Sequence, residues 1–143
     1  MILPDVNVLV YAHREDAVDH IEYRDWLNRA AQADEPLGLA DVVLAGLIRV
    51  VTHPRVYDPP TPLDRALRAA DALRAAPSAV PMVPGARHWV IFTRLSEAAN
   101  ATGNLVSDAY LAALAIETGC ELITTDRDFA RFPGLRWRHP LTR

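Results

Sequence analysis

The stretch MILPDVNVLVYA (residues 1–12) decides the fold class of this chain. Its first four residues are mostly apolar and predict a short strand, whereas the residues from Asn7 onward are typical of a helix with Asp5 or Asn7 as its N-cap. A carboxylate therefore stands at the junction of a strand and a helix, with no basic residue nearer in sequence than His13 and Arg14. This unpaired acid calls for a functional explanation.

Strand and helix patterns alternate over the rest of the chain. Further helices are predicted at 20–35, 41–53, 63–76, 86–101 and 104–119, and further strands at 37–39, 79–83, 120–125 and 135–138. Thr61 and Pro62 are expected as the N-cap and first residue of one helix, and Gly119 as the stop of another. The alternation favours an α/β fold in which helices cover both faces of a central, mainly parallel sheet.

Length and composition narrow the class of protein. With 143 residues, half of them apolar, the chain is expected to form a single domain over residues 1–143. Cys120 is the one cysteine and cannot form an intramolecular disulfide, which suits a reducing cytoplasm. No apolar run approaches the roughly 20 residues that span a bilayer, and no export signal is apparent, so we expect a cytoplasmic protein without membrane contact.

The charged residues restrict both the partners and the chemistry. The net charge of −3 argues against broad attraction to nucleic acid but allows a local basic patch. The chain contains fifteen arginines and no lysine. Phosphotransfer domains of the haloacid-dehalogenase and receiver types also carry aspartates at strand ends, but both rely on a lysine near the phosphoryl group. The absence of lysine nearly excludes that class.

Several aspartates follow predicted strands or lie on the apolar faces of helices. Asp5 ends the first strand, and Asp126 follows the strand at 120–125, with Asp128 two residues later. Asp41 and Asp108 each have apolar residues three, four and seven positions further on, which places them near a core-facing stripe. Residues after parallel strands converge at one edge of the sheet, so we expect these acids to meet.

Each acid also has an ordinary explanation as a helix cap. Aspartate at an N-cap contributes about 1 kcal/mol by accepting hydrogen bonds from free backbone amides, and this role suits Asp41 and Asp126 taken singly. Asp108 fits it less well because Asn104 or Ser107 is better placed to cap that helix. For Asp128, a solvated turn residue is as good an interpretation as a metal ligand.

A divalent metal resolves the conflict that several converging carboxylates would create. Such carboxylates repel one another and lose hydration, so without a cation some of them would hold protons. A donor set of oxygens alone suits Mg²⁺ or Mn²⁺. Zinc is disfavoured because Cys120 stands alone and the five histidines show no paired ligand spacing.

Four segments give the chain a specific resemblance to a known family. In their order they are DVNVLVYA (5–12), IRVVTHPRVY (48–57), LVSDAYLAALAIETG (105–119) and ITTDRDFARFPGL (123–135). Together they resemble PIN-domain ribonucleases, specifically VapC-type toxins of type II toxin–antitoxin systems. The resemblance spans nearly the whole chain and implies a PIN-like three-layer sandwich.

The resemblance also implies an activity and a set of site residues. It implies an Mg²⁺- or Mn²⁺-dependent endoribonuclease that hydrolyses RNA with a metal-activated water, whose metal and catalytic residues are Asp5, Asp41, Asp108 and Asp126, with Asp128 as a further candidate ligand. The second acid is usually glutamate in this family, and the shorter Asp41 departs from that pattern. A homodimer and a cognate antitoxin that blocks the active site are implied as partners.

Neighbouring residues are candidates for supporting roles. Asn7 and Thr125 are expected to orient a ligand or a water beside the acids, although a local capping role explains Asn7 equally well. Arg49, Arg55 and Arg127 are candidates for RNA binding, because the planar guanidinium suits phosphates and stacks on unpaired bases. For each arginine alone, a solvated surface charge is the simpler interpretation.

Two alternatives to an active nuclease remain open. A catalytically impaired PIN domain would act as a module that binds RNA or an antitoxin, and the shortened Asp41 favours it. A structural interaction protein would use its acids only as helix caps. Metal-dependent cleavage separates an active nuclease from the impaired module. Replacing Asp108 by Asn separates it from the structural protein, in which the change should leave stability and activity unaltered.

Overall fold

A computed structural model describes residues 1–142, which form five strands and six α-helices. A short 3-10 helix, Arg127–Arg131, follows the fourth strand. The strands are β1 (Ile2–Pro4), β2 (Leu37–Ala40), β3 (Ala79–Met82), β4 (Glu121–Ile123) and β5 (Trp137–Arg138). The helices are α1 (Val6–His13), α2 (His20–Gln32), α3 (Asp41–Val51), α4 (Leu63–Arg74), α5 (His88–Ala98) and α6 (Asn104–Thr118).

All five strands run parallel in one sheet of order β3-β2-β1-β4-β5. The central strand β1 pairs through Ile2 with Leu37 on one side and with Glu121 on the other. Parallel strands with helical crossovers are buried on both faces, and accordingly every residue of β1 and β2 is buried. The predicted α/β fold is confirmed.

The direction of the crossovers places the helices in two layers. The chain runs from β1 through β2 to the edge strand β3 and then returns across the sheet to β4. Crossovers between parallel strands are almost always right-handed, so α1 to α4 cover one face and α5 with α6 covers the other. The helix contacts agree, because α1 packs against α2 and α3, α3 against α4, and α5 against α6.

Local sequence signals explain some of the helix ends and fail at others. Gly119 ends α6 as expected, with a left-handed φ of 72° that a residue without a Cβ adopts at little cost. The expectation for Thr61 is wrong, because Pro62 occupies the N-cap position of α4 and forms no side-chain cap. The buried Thr61 hydroxyl instead lies 3.3 Å from His13 Nε2 and 3.2 Å from Arg14 Nη1.

A close approach between α1 and α3 sets the position of α3 beside the end of β1. A Cβ atom on Gly46 would lie 2.7 Å from Val6 Cγ2, a separation shorter than real carbon contacts allow. Glycine is therefore required for the two helices to pack at this distance. None of the helices in residues 1–142 has the length and hydropathy needed to cross a membrane.

Candidate active site

The carboxyl ends of β1 and β4 meet where the direction of the crossovers reverses. The two strands are neighbours in the sheet. The chain leaves β1 toward β2 and β3 on one side, and it then crosses back over the sheet to reach β4 on the other side of β1. Ligands of open α/β sheets bind in the crevice at such a switch point. A cavity of about 610 Å³ opens there, and its lining includes Asp5, Asn7, Gly46, Arg49, Asn104, Ser107, Asp108, Tyr110 and Asp126.

Asp5 is a buried carboxylate at the centre of this site. It caps α1, with its Oδ1 accepting from the Val6 backbone N–H at 2.7 Å, and only 9% of the residue is exposed. Burial raises the pKa of Asp5, and hydrogen bonds from Thr124 and Val6 partly oppose that rise. Capping and a functional role are thus compatible, since a carboxylate can cap the helix and still line the cavity.

Thr124 joins the ends of the two central strands. Its fully buried hydroxyl donates to Asp5 Oδ2 at 2.9 Å and accepts from the Asp126 backbone N–H at 3.0 Å. One side chain therefore fixes both the second oxygen of Asp5 and the backbone that carries Asp126. The sequence prediction gave a supporting role beside the acids to Thr125, which lines a different cavity, so that role stays a prediction.

Asp126 begins the turn after β4 and also serves as a cap. Its Oδ1 accepts from the backbone N–H of Asp128 at 2.8 Å, while its other oxygen accepts no hydrogen bond from residues 1–142. The side chain of Asp128 is exposed and lies 3.8 Å from Arg131. Asp128 therefore orients Asp126 through its backbone, and its carboxylate adds charge near the site without lining the cavity.

Asp108 reaches the cavity from the first half of α6. Its pKa is raised to about 6, first by burial and then by the charges of Asp5, Asp126 and Asp128. No ion pair is formed by Asp5, Asp108 or Asp126 within the described residues. The three carboxylates thus share one cavity, and the charges of Asp5 and Asp126 disfavour the ionised form of Asp108.

Asp41 lies outside this group. It is the exposed first residue of α3 and lines a separate cavity with Asp71 and Arg74 of α4. Strand order supplies the reason, because β2 lies on the side of β1 away from β4 and its end is removed from the switch point. The α3 residues that do line the site include Gly46 and Arg49, so α3 contributes no carboxylate to the cavity.

The candidate RNA-binding arginines occupy three different surroundings. Arg49 lines the cavity of the three acids, whereas Arg127 lines the neighbouring cavity that contains Thr125. Arg55 is exposed beyond α3, where its backbone N–H donates to His53 Nδ1. Arg49 and Arg127 therefore flank the acids, and Arg55 does not line either cavity.

Some lining residues have roles that differ from the sequence prediction. Asn104 or Ser107 was expected to cap α6, but Gly103 holds the N-cap position and no side chain of residues 1–142 caps the helix. Both residues instead present polar groups to the acid cavity, as the exposed Asn7 does. The sequence offered a signal for Thr124, because alternate residues of an extended segment share a side and Asp126 lies two positions further on.

The donor set of the cavity fits a hydrated divalent cation. Within residues 1–142, no three acid, histidine or cysteine side chains are arranged to hold a metal ion as they stand. The lining nevertheless brings carboxylate, amide and hydroxyl oxygens to one space, with neither histidine nor cysteine among them. Mg²⁺ keeps several of its waters and commonly contacts only one or two carboxylates directly. A cation at this position would also relieve the repulsion that raises the pKa of Asp108.

Comparison with known proteins identifies the family. A family model described as PIN domain matches residues 2–135. The chain belongs to the PIN-domain family. This PIN domain is 55% identical over 141 residues to a VapC ribonuclease of Mycobacterium bovis and to ribonuclease VapC43 of Mycobacterium tuberculosis, with 99% of the chain and 96% of each relative covered. The similarity thus extends over essentially the full length of both proteins.

Solved structures agree with the PIN-domain fold. One similar structure is VapBC2 from Rickettsia felis bound to a DNA fragment from its promoter, with a TM-score of 0.71, 20% identity, and coverage of 97% of this chain and 98% of the other. Another is VapBC-1 from nontypeable Haemophilus influenzae, with a TM-score of 0.71, 18% identity, and coverage of 99% and 100%. At this level of identity the likeness concerns the fold alone.

Proposed function

We propose that this PIN domain is a metal-dependent endoribonuclease and the toxin of a type II toxin–antitoxin pair. The observation that carries the proposal is the meeting of Asp5, Asp108 and Asp126, without ion-pair partners in residues 1–142, in one cavity at the switch point of the sheet. Relatives with 55% identity over nearly the full length are named ribonucleases, which supports the same reaction class for this chain.

The three acids have distinct parts in the proposed site. Asp5 is the rigid member, because Val6 and Thr124 fix both of its oxygens. Asp126 is held through one oxygen and presents the other. Asp108 accepts no hydrogen bond from residues 1–142 and has the pKa of about 6, so its protonation state responds most to a bound cation. We propose these three as the metal ligands. Asp128 adds negative charge from outside the cavity, and Asn7 is available to orient a water.

A divalent cation held there would supply an activated water and would offset negative charge on the scissile phosphate. The chain itself supplies the rest of the site. Arg49 lines the same cavity and offers a planar, permanently charged donor for a phosphate oxygen of the RNA. Ser107 and Asn104 add neutral hydrogen-bonding groups beside Asp108. The proposed reaction is hydrolysis of an RNA phosphodiester bond in which Mg²⁺ or Mn²⁺ is required.

The partner proposal follows from the family. Two of the similar solved structures are VapBC assemblies, and we propose that an antitoxin likewise binds this chain and restrains its activity. The homodimer implied by the resemblance is also retained as a proposal, and sedimentation equilibrium of the purified protein tests it directly.

A catalytically impaired module is the second candidate function. The position of Asp41 favours it, because α3 contributes no carboxylate to the cavity and one of the four expected ligands is missing from the site. Such a protein would bind RNA or antitoxin without cleaving. The three remaining acids favour an active enzyme, since Mg²⁺ that keeps its waters needs few protein ligands.

A cleavage assay separates the two functions. End-labelled RNA of mixed sequence is incubated with purified protein in Mg²⁺, in Mn²⁺ or in EDTA, alongside the variants Asp108→Asn and Asp41→Asn. We expect metal-dependent cutting that Asp108→Asn abolishes and Asp41→Asn leaves nearly unchanged. Binding without cleavage in all metal conditions would replace the nuclease with the binding module.

A further inference from the structure

A second cavity lies beside the acid site, behind the end of β4. Its volume is about 690 Å³, and its lining includes Thr125, Arg127, Ala130, Trp137, Arg138 and His139. The backbone from Thr124 to Asp126 separates the two cavities, since Asp126 lines the acid site and the next residue, Arg127, lines the second cavity. The backbone N–H of Thr124 donates to the Arg138 carbonyl at 3.1 Å, which fixes this segment against β5.

Among residues 1–142, the charges around the second cavity leave one cation without a partner. Arg138 Nε donates to Glu121 Oε1 at 2.7 Å, so its charge is balanced. His139 Nδ1 accepts from the Leu141 backbone N–H, and its Nε2 lies 3.4 Å from the Tyr23 hydroxyl, so both ring nitrogens have partners within the chain. Arg127 is exposed and forms no ion pair with any residue the structure describes. Its guanidinium is therefore available to an anion from outside the chain.

The lining also provides an aromatic wall. Trp137 belongs to the two-residue edge strand β5, is half-buried, and pairs in register with Leu122. Part of the indole rests against the core, and part lines the cavity. Within the part of the chain that the structure describes, no acidic side chain lines the cavity. An aromatic surface beside an unpaired arginine is the combination that binds single-stranded nucleic acid, by stacking a base and neutralising a phosphate.

We propose that this second cavity is a nucleotide subsite for single-stranded RNA. It takes an unpaired base adjacent to the cleaved bond, stacked on Trp137, with the neighbouring phosphate on Arg127. The subsite rests on the proposed ribonuclease function, because the strand reaches the acid site across the divide formed by Thr124 to Asp126. Paired RNA is excluded, since a base within a duplex cannot present its face to the indole.

Equilibrium binding tests the subsite without cleavage. The parent is the Asp108→Asn variant in EDTA, and the probe is a short fluorescein-labelled single-stranded RNA of mixed sequence, followed by anisotropy. Trp137→Leu is expected to weaken binding about tenfold, as for loss of one stacked base. Arg127→Ala is expected to weaken binding and to reduce the slope of log K against log salt by about 0.7, as for one phosphate contact of a single strand.

Matched controls come from α5, which contributes no residue to the lining of either cavity. Trp89 is 67% exposed on α5, and Arg94 is exposed on the same helix, so Trp89→Leu and Arg94→Ala should leave both affinity and salt slope unchanged. Thermal midpoints check folding for all variants. If the half-buried Trp137 does not tolerate replacement, the exposed Arg127 decides the result alone.

The outcomes distinguish the subsite from the nuclease. RNA binding that depends on Trp137 and Arg127 supports the subsite even if the wild-type protein fails to cleave. Metal-dependent cleavage with an unchanged KM in both variants would leave the nuclease standing and overturn the subsite. The subsite would also be overturned if the Asp108→Asn parent bound no single-stranded RNA. The same holds if the Trp137 and Arg127 variants kept RNA binding and lost only the binding of an acidic antitoxin peptide.

Discussion

Replacing Thr124 by Val removes the hydroxyl that joins the two acid-bearing strands and keeps the branched shape of the side chain. The hydroxyl is fully buried, donates to Asp5 Oδ2 and accepts from the Asp126 N–H. The valine leaves Asp5 with one donor fewer in a buried position and leaves the Asp126 amide without its partner. Thr125→Val, one residue away, is the matched control for stability because its hydroxyl forms neither contact.

The expected loss of stability follows from these two hydrogen bonds. A hydrogen bond to a charged group contributes about 1.5–3 kcal/mol, and an amide left unsatisfied costs about 1–3 kcal/mol when buried. Asp126 is half-buried, so its amide belongs near the lower limit. We therefore expect Thr124→Val to lower the free energy of unfolding by about 3 kcal/mol. Thr125→Val should change it by less than about 0.5 kcal/mol.

Urea unfolding in EDTA at neutral pH measures both variants, with the slope m checked for constancy. A second readout is the pKa of Asp5 from a carboxyl NMR titration. The pKa should rise in Thr124→Val, because the hydroxyl stabilises the ionised form. Equal stability of the two variants, or an unchanged pKa of Asp5, would refute the view that Thr124 organises the site.

Three further perturbations test other parts of the structure. Asp108→Asn should stabilise the metal-free protein by about 1 kcal/mol at pH 7, after allowance for solvent screening of the charges. Because the pKa of Asp108 in the folded protein, about 6, exceeds the ordinary 3.8, this gain in stability should vanish below pH 3.8. Urea unfolding at several pH values measures the dependence. Gly46→Ala should destabilise the fold by about 1–2 kcal/mol through overpacking, and a second change, Val6→Ala, should restore most of the loss by removing the methyl group 2.7 Å from the new Cβ. Glu117→Gln should lower the thermal midpoint at pH 7, because the carboxylate accepts hydrogen bonds from two backbone amides and its pKa is lowered mainly by the bond from Gly85. The stabilisation by the carboxylate is lost as pH falls through the depressed pKa. Equal thermal midpoints of the variant and the wild type at pH 7 would contradict this prediction.

The sequence predicted the elements of this fold well because their signals are local. The strand before Asp5, the helix stop at Gly119 and the apolar stripe below Asp108 each depend on residues close along the chain. Thr61 is one of the exceptions among the helix starts, since its hydroxyl contacts His13 and Arg14, 48 and 47 residues away. Such a tertiary contact leaves no trace in local sequence pattern.

Local sequence pattern does not show which of the acids share the cavity, because that depends on the order of the strands in the sheet. Asp5, Asp41 and Asp126 each lie at the end of a strand, but only the strand order decides which of these ends border the switch point, which lies between β1 and β4. Asp126 therefore joins Asp5, while Asp41 faces α4. The contact of Thr124 with the site could have been predicted, because alternate residues of an extended segment lie on the same side and Asp126 is two positions further on. The metal itself stays a prediction based on the oxygen donors and their mutual repulsion.

Calorimetric titration of Mn²⁺ into the wild-type protein, Asp126→Asn and Asp41→Asn tests most directly whether the carboxylates at the switch point form a metal site. We predict that the wild type and Asp41→Asn bind Mn²⁺ with similar affinity and that Asp126→Asn binds it at least about tenfold more weakly, as for loss of a charged ligand partner. Thermal midpoints should rise with Mn²⁺ in the same two proteins. Loss of binding in Asp41→Asn with normal binding in Asp126→Asn would contradict the assignment of the site.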